Sequence, residues 1–136
     1  MEFANLLSKL THQSSPQEKE YFWALEIWEG GVKSAIWTVE DGRIQVVVLG
    51  SQELWQENVE DLLTAADQSF ATASERFVDI GKEPSKVIFG LPTDWLEEEK
   101  IIPSRQHMLQ TLCEKLALSP LGFVLVVDAL NHHLKD

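Results

Sequence analysis

The stretch Tyr21-Phe22-Trp23-Ala24-Leu25-Glu26-Ile27-Trp28, followed by Glu29-Gly30-Gly31 and then Val32 to Val39, decides the fold. The first eight residues are apolar on both faces of an extended chain except for one carboxylate, as in a strand covered on both sides in the middle of a sheet. Glu29-Gly30-Gly31 supplies a tight turn whose glycines accept positive φ. The β-branched and aromatic residues from Val32 to Val39 predict a second strand. Asp41-Gly42 is the residue pair that a type I′ turn favours, so Arg43 to Leu49 is the third strand of an antiparallel meander.

Downstream, Val59, Leu62, Leu63, Ala66, Phe70, Ala73 and Phe77 recur every three or four residues and predict a helix, with Asn58 as N-cap and Gly81 as terminator. Lys86 to Leu91, closed by Pro92, is a fourth strand. Thr93 to Ile102 is acidic and irregular. Pro103-Ser104 opens a second helix carrying Met108, Leu109, Leu112, Cys113 and Leu116 on one side, ended by Ser119-Pro120. Leu121 to Val127 is a fifth strand, and Asp128 to Lys135 begins a third helix. Residues 1–20 are expected to be a flexible tail and 21–136 one domain. With right-handed crossovers the fourth strand falls beside the first. The expected fold is a mixed α/β sheet in the order three, two, one, four, five with helices on both faces, which resembles the ribonuclease H-like architecture.

The 136 residues carry 22 acidic and 11 basic side chains, a formal charge of −11, and 44% belong to the hydrophobic set. That is enough apolar content for one core without disulfides. The acidic balance excludes nucleic acid as an expected partner, because affinity for a phosphate backbone comes from Lys and Arg releasing counterions. A lone cysteine, Cys113, makes neither an internal disulfide nor a multi-cysteine zinc site. No apolar stretch reaches the roughly 18 residues of a spanning helix. The chain reads as cytoplasmic, with a peripheral membrane complex still open.

Ala24-Leu25-Glu26-Ile27-Trp28-Glu29-Gly30-Gly31-Val32-Lys33-Ser34-Ala35 resembles the first phosphate-binding hairpin of the actin-like ATPase superfamily, and is most similar to its bacterial pilus-assembly and cell-division branch. Val87 to Pro92 resembles that family's strand ending in a Val-Pro or Leu-Pro step, and Leu121 to Leu130 its following strand and helix. The resemblance implies a first lobe only, with the second phosphate loop and adenosine pocket absent from these residues. It implies that a longer, two-lobed protein binds ATP with magnesium and assembles with partners. For this chain it implies no cofactor and no turnover, but a scaffold or self-associating module. The nucleotide hairpin would comprise Glu26, Trp28, Glu29, Gly30, Gly31 and Lys33. Glu26 stands where the family has its metal-associated aspartate. Trp28 stands where the family has a glycine that lets backbone approach phosphate.

Glu26 has two readings: a metal or phosphate-water site, or a strand-end carboxylate that reaches solvent or pairs with Lys33. Asp94 and Asp128 follow the fourth and fifth strands, so with Glu26 they could gather at one sheet edge and hold magnesium, as in a ribonuclease H-like nuclease. Their alternative roles are a turn residue and a helix cap. A stand-alone interaction module that has lost nucleotide chemistry is the other alternative. Trp23 and Trp37 are expected within the sheet layers. Trp28, Trp55 and Trp95 are expected near turns or element ends, either partly exposed as anchors for a protein contact or capping the core under loops. Adjacent His132 and His133 point about 100° apart on a helix and do not chelate one ion. Cys113 is expected as a packed thiol, and Glu97-Glu98-Glu99 as a solvated acidic loop.

Overall fold

The computed structural model describes residues 19–125 apart from 57, 79 and 81. Strands β1 (Phe22–Trp28), β2 (Gly31–Glu40) and β3 (Arg43–Leu54) form the meander, and helix α1 (Val59–Phe77) leads to β4 (Lys86–Leu91). A short 3₁₀ turn (Thr93–Trp95) and a two-strand hairpin, β5 (Leu96–Glu97) and β6 (Lys100–Ile101), precede α2 (Pro103–Leu116) and β7 (Ser119–Leu125). The five-stranded sheet has the order β3-β2-β1-β4-β7, with β1–β2 and β2–β3 antiparallel and β1–β4 and β4–β7 parallel. This is the expected order, and it is that of the ribonuclease H-like fold.

β1 is central because it pairs on both sides, and its residues divide cleanly between two cores. Trp23, Leu25 and Ile27 join Ile36, Val87, Phe89 and the apolar faces of both helices. Phe22 and Ala24 join Ala35, Trp37, Ile88 and Val124 on the opposite face. The two helix-bearing crossovers step the same way across the sheet. Crossovers of one hand in that arrangement leave both helices on the same face, as the single shared cluster records. The helix expected from Asp128, the terminator Gly81 and most of the 1–20 tail lie outside the described residues. Lys19 and Glu20 are described, and they tie the chain entry down through ion pairs to Glu40 at 3.2 Å and Lys86 at 2.8 Å.

Local chemistry explains the boundaries. Asn58 caps α1 by accepting the Asp61 N–H at 2.9 Å, satisfying one of the helix's unpartnered donors. Asp41 (φ 54°) and Gly42 (φ 75°) take the two left-handed positions of the β2–β3 turn. Helix α2 stops before Ser119-Pro120: Ala117 adopts φ 56° as a left-handed cap, and its N–H reaches the Cys113 carbonyl. Ser119 and Pro120 already belong to β7, an edge strand in which proline's missing N–H leaves no central ladder bond unmade.

β3 runs five residues beyond the expected end because a bulge carries it on. Lys33 faces Gln52 and Ala35 faces Leu49, so Gly50 and Ser51 both stand against Ser34. The bulge frees backbone groups, and α1 satisfies them. The Ser34 N–H donates to Ser69 Oγ at 2.9 Å, Ser69 Oγ donates to the Ser51 carbonyl, and the Ser51 N–H donates to Thr72 Oγ1 at 2.7 Å. Ser34 Oγ in turn donates to the Ser69 carbonyl at 2.9 Å. This buried hydroxyl seam requires the helix to approach so closely that a Cβ at residue 50 would collide with Ser34 Oγ and the Ser69 carbonyl. Gly50→Ala is therefore expected to lower stability by about 2–3 kcal/mol. Ser69→Ala, which strands the bulge's polar groups, is expected to lower it by about 1–3 kcal/mol. Urea denaturation of both variants, beside a Gly42→Asn control in an open turn, checks the assignment.

Candidate functional site

The carboxyl ends of β1, β3 and β4 meet the amino ends of both helices at one edge of the sheet, where ligands of open α/β folds bind. The edge holds a cleft of about 650 Å³. Glu29 and Gly30 of the β1–β2 turn form one side, Asp94 and Trp95 after β4 another. Trp55, Gln56 and Asn58 contribute from the β3–α1 connection and Arg105 from the first turn of α2.

The turn itself is closed. Trp28 faces Gly31 across the hairpin, and its half-buried indole lies so near that a Cβ at residue 31 would stand 2.5–2.8 Å from three ring atoms. Glycine at 31 is thus required by the ring, and the ring occupies the hairpin mouth. From the other side, the Trp55 Nε1–H lies 3.1 Å from both the Trp28 and the Gly31 carbonyls, while the Trp55 backbone N–H donates to the Gly30 carbonyl at 3.2 Å. The Trp28, Gly30 and Gly31 carbonyls consequently all face Trp55.

Trp55 and Trp95 are buried, at 6% and 3% exposure, which excludes the partly exposed anchors and leaves the alternative in which they cap the core under loops. They pack edge to face, ring centres 6.2 Å apart, as the cleft floor. Each indole finds enough cover there because the connection after β3 and the turn after β4 converge. Arg105, which no spacing in the sequence singles out, is the residue that sequence reasoning missed. Its guanidinium stacks 4.9 Å above the Trp95 ring centre and donates to Met108 Sδ at 3.3 Å.

Glu26 lies elsewhere. It sits on the sheet face opposite the helices, 7% exposed, directly across from Lys33 in the β2 register and beside Gly90 of β4. Asp94 lines the cleft and is exposed, so the structure does not bring these two acids into one site. Asp128 lies outside the described residues, as do His132 and His133. Among the described residues no three His, Cys, Asp or Glu side chains gather as a metal site. Glu97-Glu98-Glu99 is a hairpin tip rather than an irregular loop, with Glu98 at φ 53° and Glu99 at φ 68°. Those left-handed positions ordinarily fall to Asn and Gly, so no local residue pattern signals the turn there.

Cys113 is buried on α2, as expected, and burial pushes its thiol up from 9.0 to about 11. The folded state therefore holds that proton more tightly than the unfolded state. The resulting stability is complete below pH 9 and declines as pH rises toward 11.

No family model and no curated protein matches the sequence. Among solved structures, an Aquifex aeolicus Ppx/GppA enzyme aligns at a TM-score of 0.47 and 10% identity, over 79% of this chain and 36% of that one. A diol dehydratase-reactivating factor in nucleotide-free form aligns at 0.41 and 12% identity, over 52% of this chain and 12% of that one. The yeast mitochondrial Holliday junction resolvase aligns at 0.37 and 14%, over 89% and 56%. The chain thus spans about a third of the Ppx/GppA structure. The fold assignment rests on the strand order and connections of the sheet itself.

Trp55→Phe keeps the apolar floor but removes the shared N–H, and is expected to cost about 1–3 kcal/mol and to speed amide exchange in the 28–31 turn above that in the Asp41-Gly42 turn. Cys113 is expected to resist iodoacetamide at pH 8 in the folded chain and to react on unfolding. Cys113→Ala is expected to remove part of the stability loss between pH 9 and 11.

Proposed function

We propose that this chain is a first-lobe domain of the actin-like ATPase type, allied to the pilus-assembly and cell-division branch, in which the nucleotide hairpin has become a structural closure. Its role is that of a scaffold that associates with protein partners or with itself. The observation that carries this reading is the Trp28 indole seated on Gly31. A phosphate bound by such a hairpin needs bare backbone at close range, and here a ring covers that backbone. Glu29 and Asp94 at the cleft rim add like charge against a polyphosphate. ATP with magnesium, and any turnover, belong in this reading to a longer two-lobed protein whose other parts supply the phosphate contacts.

Titration of the chain with ATP and magnesium, followed by tryptophan fluorescence, tests the reading. Trp28 and Trp55 both border the turn, so occupancy would alter their emission. No saturable change is expected up to about 10 mM nucleotide, well beyond a 1 mM dissociation constant. A saturable change with a submillimolar constant would overturn it.

A further inference from the structure

We propose that the cleft at the carboxyl edge of the sheet receives a carboxylate side chain of a partner polypeptide, with Arg105 as its anchor and Glu29 and Asp94 reading an adjacent basic residue. The proposal rests on the protein-binding reading above and names the chemistry of the partner.

Arg105 carries the inference. Arg105 is half-buried, its guanidinium lies over the face of Trp95, and the one acceptor among its described contacts is a thioether, a weak hydrogen-bonding group. Glu29 and Asp94 line the same cleft, yet among the described residues Arg105 makes no ion pair with either. Stacking on an indole fixes the plane of the guanidinium and leaves its fork of N–H donors pre-arranged for a planar, bidentate acceptor. A carboxylate has that shape. The floor beneath is apolar, formed by Trp55 and Trp95, and Gln56 and Asn58 on the wall offer amides to a peptide backbone.

Charge selects against the competing anion. A phosphate ester bearing close to two negative charges would meet two rim carboxylates with one cation to offset them. A single carboxylate is opposed less, and a lysine or arginine next to it in the ligand turns Glu29 and Asp94 from opponents into partners. The preferred occupant is therefore a segment pairing an acidic with a basic residue.

The test uses capped tetrapeptides and the indole Nε1–H signals of Trp55 and Trp95 in ¹H–¹⁵N NMR. Ac-Gly-Glu-Lys-Gly-amide is expected to shift both signals saturably, and Ac-Gly-Gln-Lys-Gly-amide to bind about tenfold more weakly, the scale of one lost charge-assisted hydrogen-bond pair. Arg105→Gln is expected to abolish the preference for Glu over Gln. Because that change also removes the stacking on Trp95, Arg105→Lys provides a second variant that keeps the charge and is expected to lose most of the preference with the remaining indole spectrum unchanged. Glu29→Gln is expected to weaken the Glu-Lys peptide while strengthening Ac-Gly-Glu-Gln-Gly-amide, because it removes a partner of the lysine and an opponent of the carboxylate. Equal binding of the Glu and Gln peptides, tighter binding of inorganic phosphate than of the Glu-Lys peptide, or unmoved Trp55 and Trp95 signals at about 10 mM peptide would overturn the proposal. ATP is titrated separately, so failure of the peptides with ATP also unbound removes the inference alone, whereas ATP binding removes the reading beneath it.

Discussion

One indole N–H, that of Trp55, lies between the carbonyl oxygens of Trp28 and Gly31. It holds the end of the central strand to the start of the next, and fixes the route of the chain from β3 into α1. Since a buried indole donor without a partner is costly, the same bond commits Trp55 to the floor of the cleft. Trp95 then packs against it and Arg105 against Trp95. The positions of the β1–β2 turn, the turn after β4 and the first turn of α2 all follow from that contact sequence. Trp28 completes the closure from the other side by lying over the only residue small enough to accept it.

The consequence for chemistry is a separation. The acid that the sequence makes conspicuous, Glu26, is on the face away from the helices, opposite Lys33, whereas the cleft lies on the edge bordered by Glu29, Asp94 and Arg105. A strand places successive side chains on opposite faces, so Glu26 shares its face with Trp28, while Ile27 and Leu25 join the helices. The helix-side core, meanwhile, is locked by the hydroxyl seam at the β3 bulge, where Ser69 and Thr72 satisfy groups that the sheet leaves open. Shape is thus held rigidly around a cleft whose charges are mixed and whose backbone is occupied.

Much of this architecture was legible because the signals were periodic or came from residues with one dominant use. The doubly apolar run around Leu25 placed β1 at the centre, Asp41-Gly42 marked the β2–β3 turn, and the spacing from Leu62 to Phe77 marked α1 with Asn58 as cap. What was not legible depended on contacts distant in sequence. Glu98 and Glu99 occupy turn positions that their side chains do not favour, so no local pattern announced the β5–β6 hairpin. The extension of β3 past Gly50 depends on hydroxyls of α1, and Trp55 and Trp95 are buried by each other's connections. Arg105 is one cation on a helix surface, and only its stacking on Trp95 distinguishes it from a solvated neighbour.

The closed hairpin is tested most directly by the chemical shift and nuclear Overhauser contacts of the Gly31 Hα protons. An indole lying over that residue predicts strong upfield ring-current displacement and cross-peaks to the Trp28 ring protons, both unchanged by ATP with magnesium. Ordinary glycine shifts with no contact to the Trp28 ring, or contacts that vanish when nucleotide is added, would contradict the account.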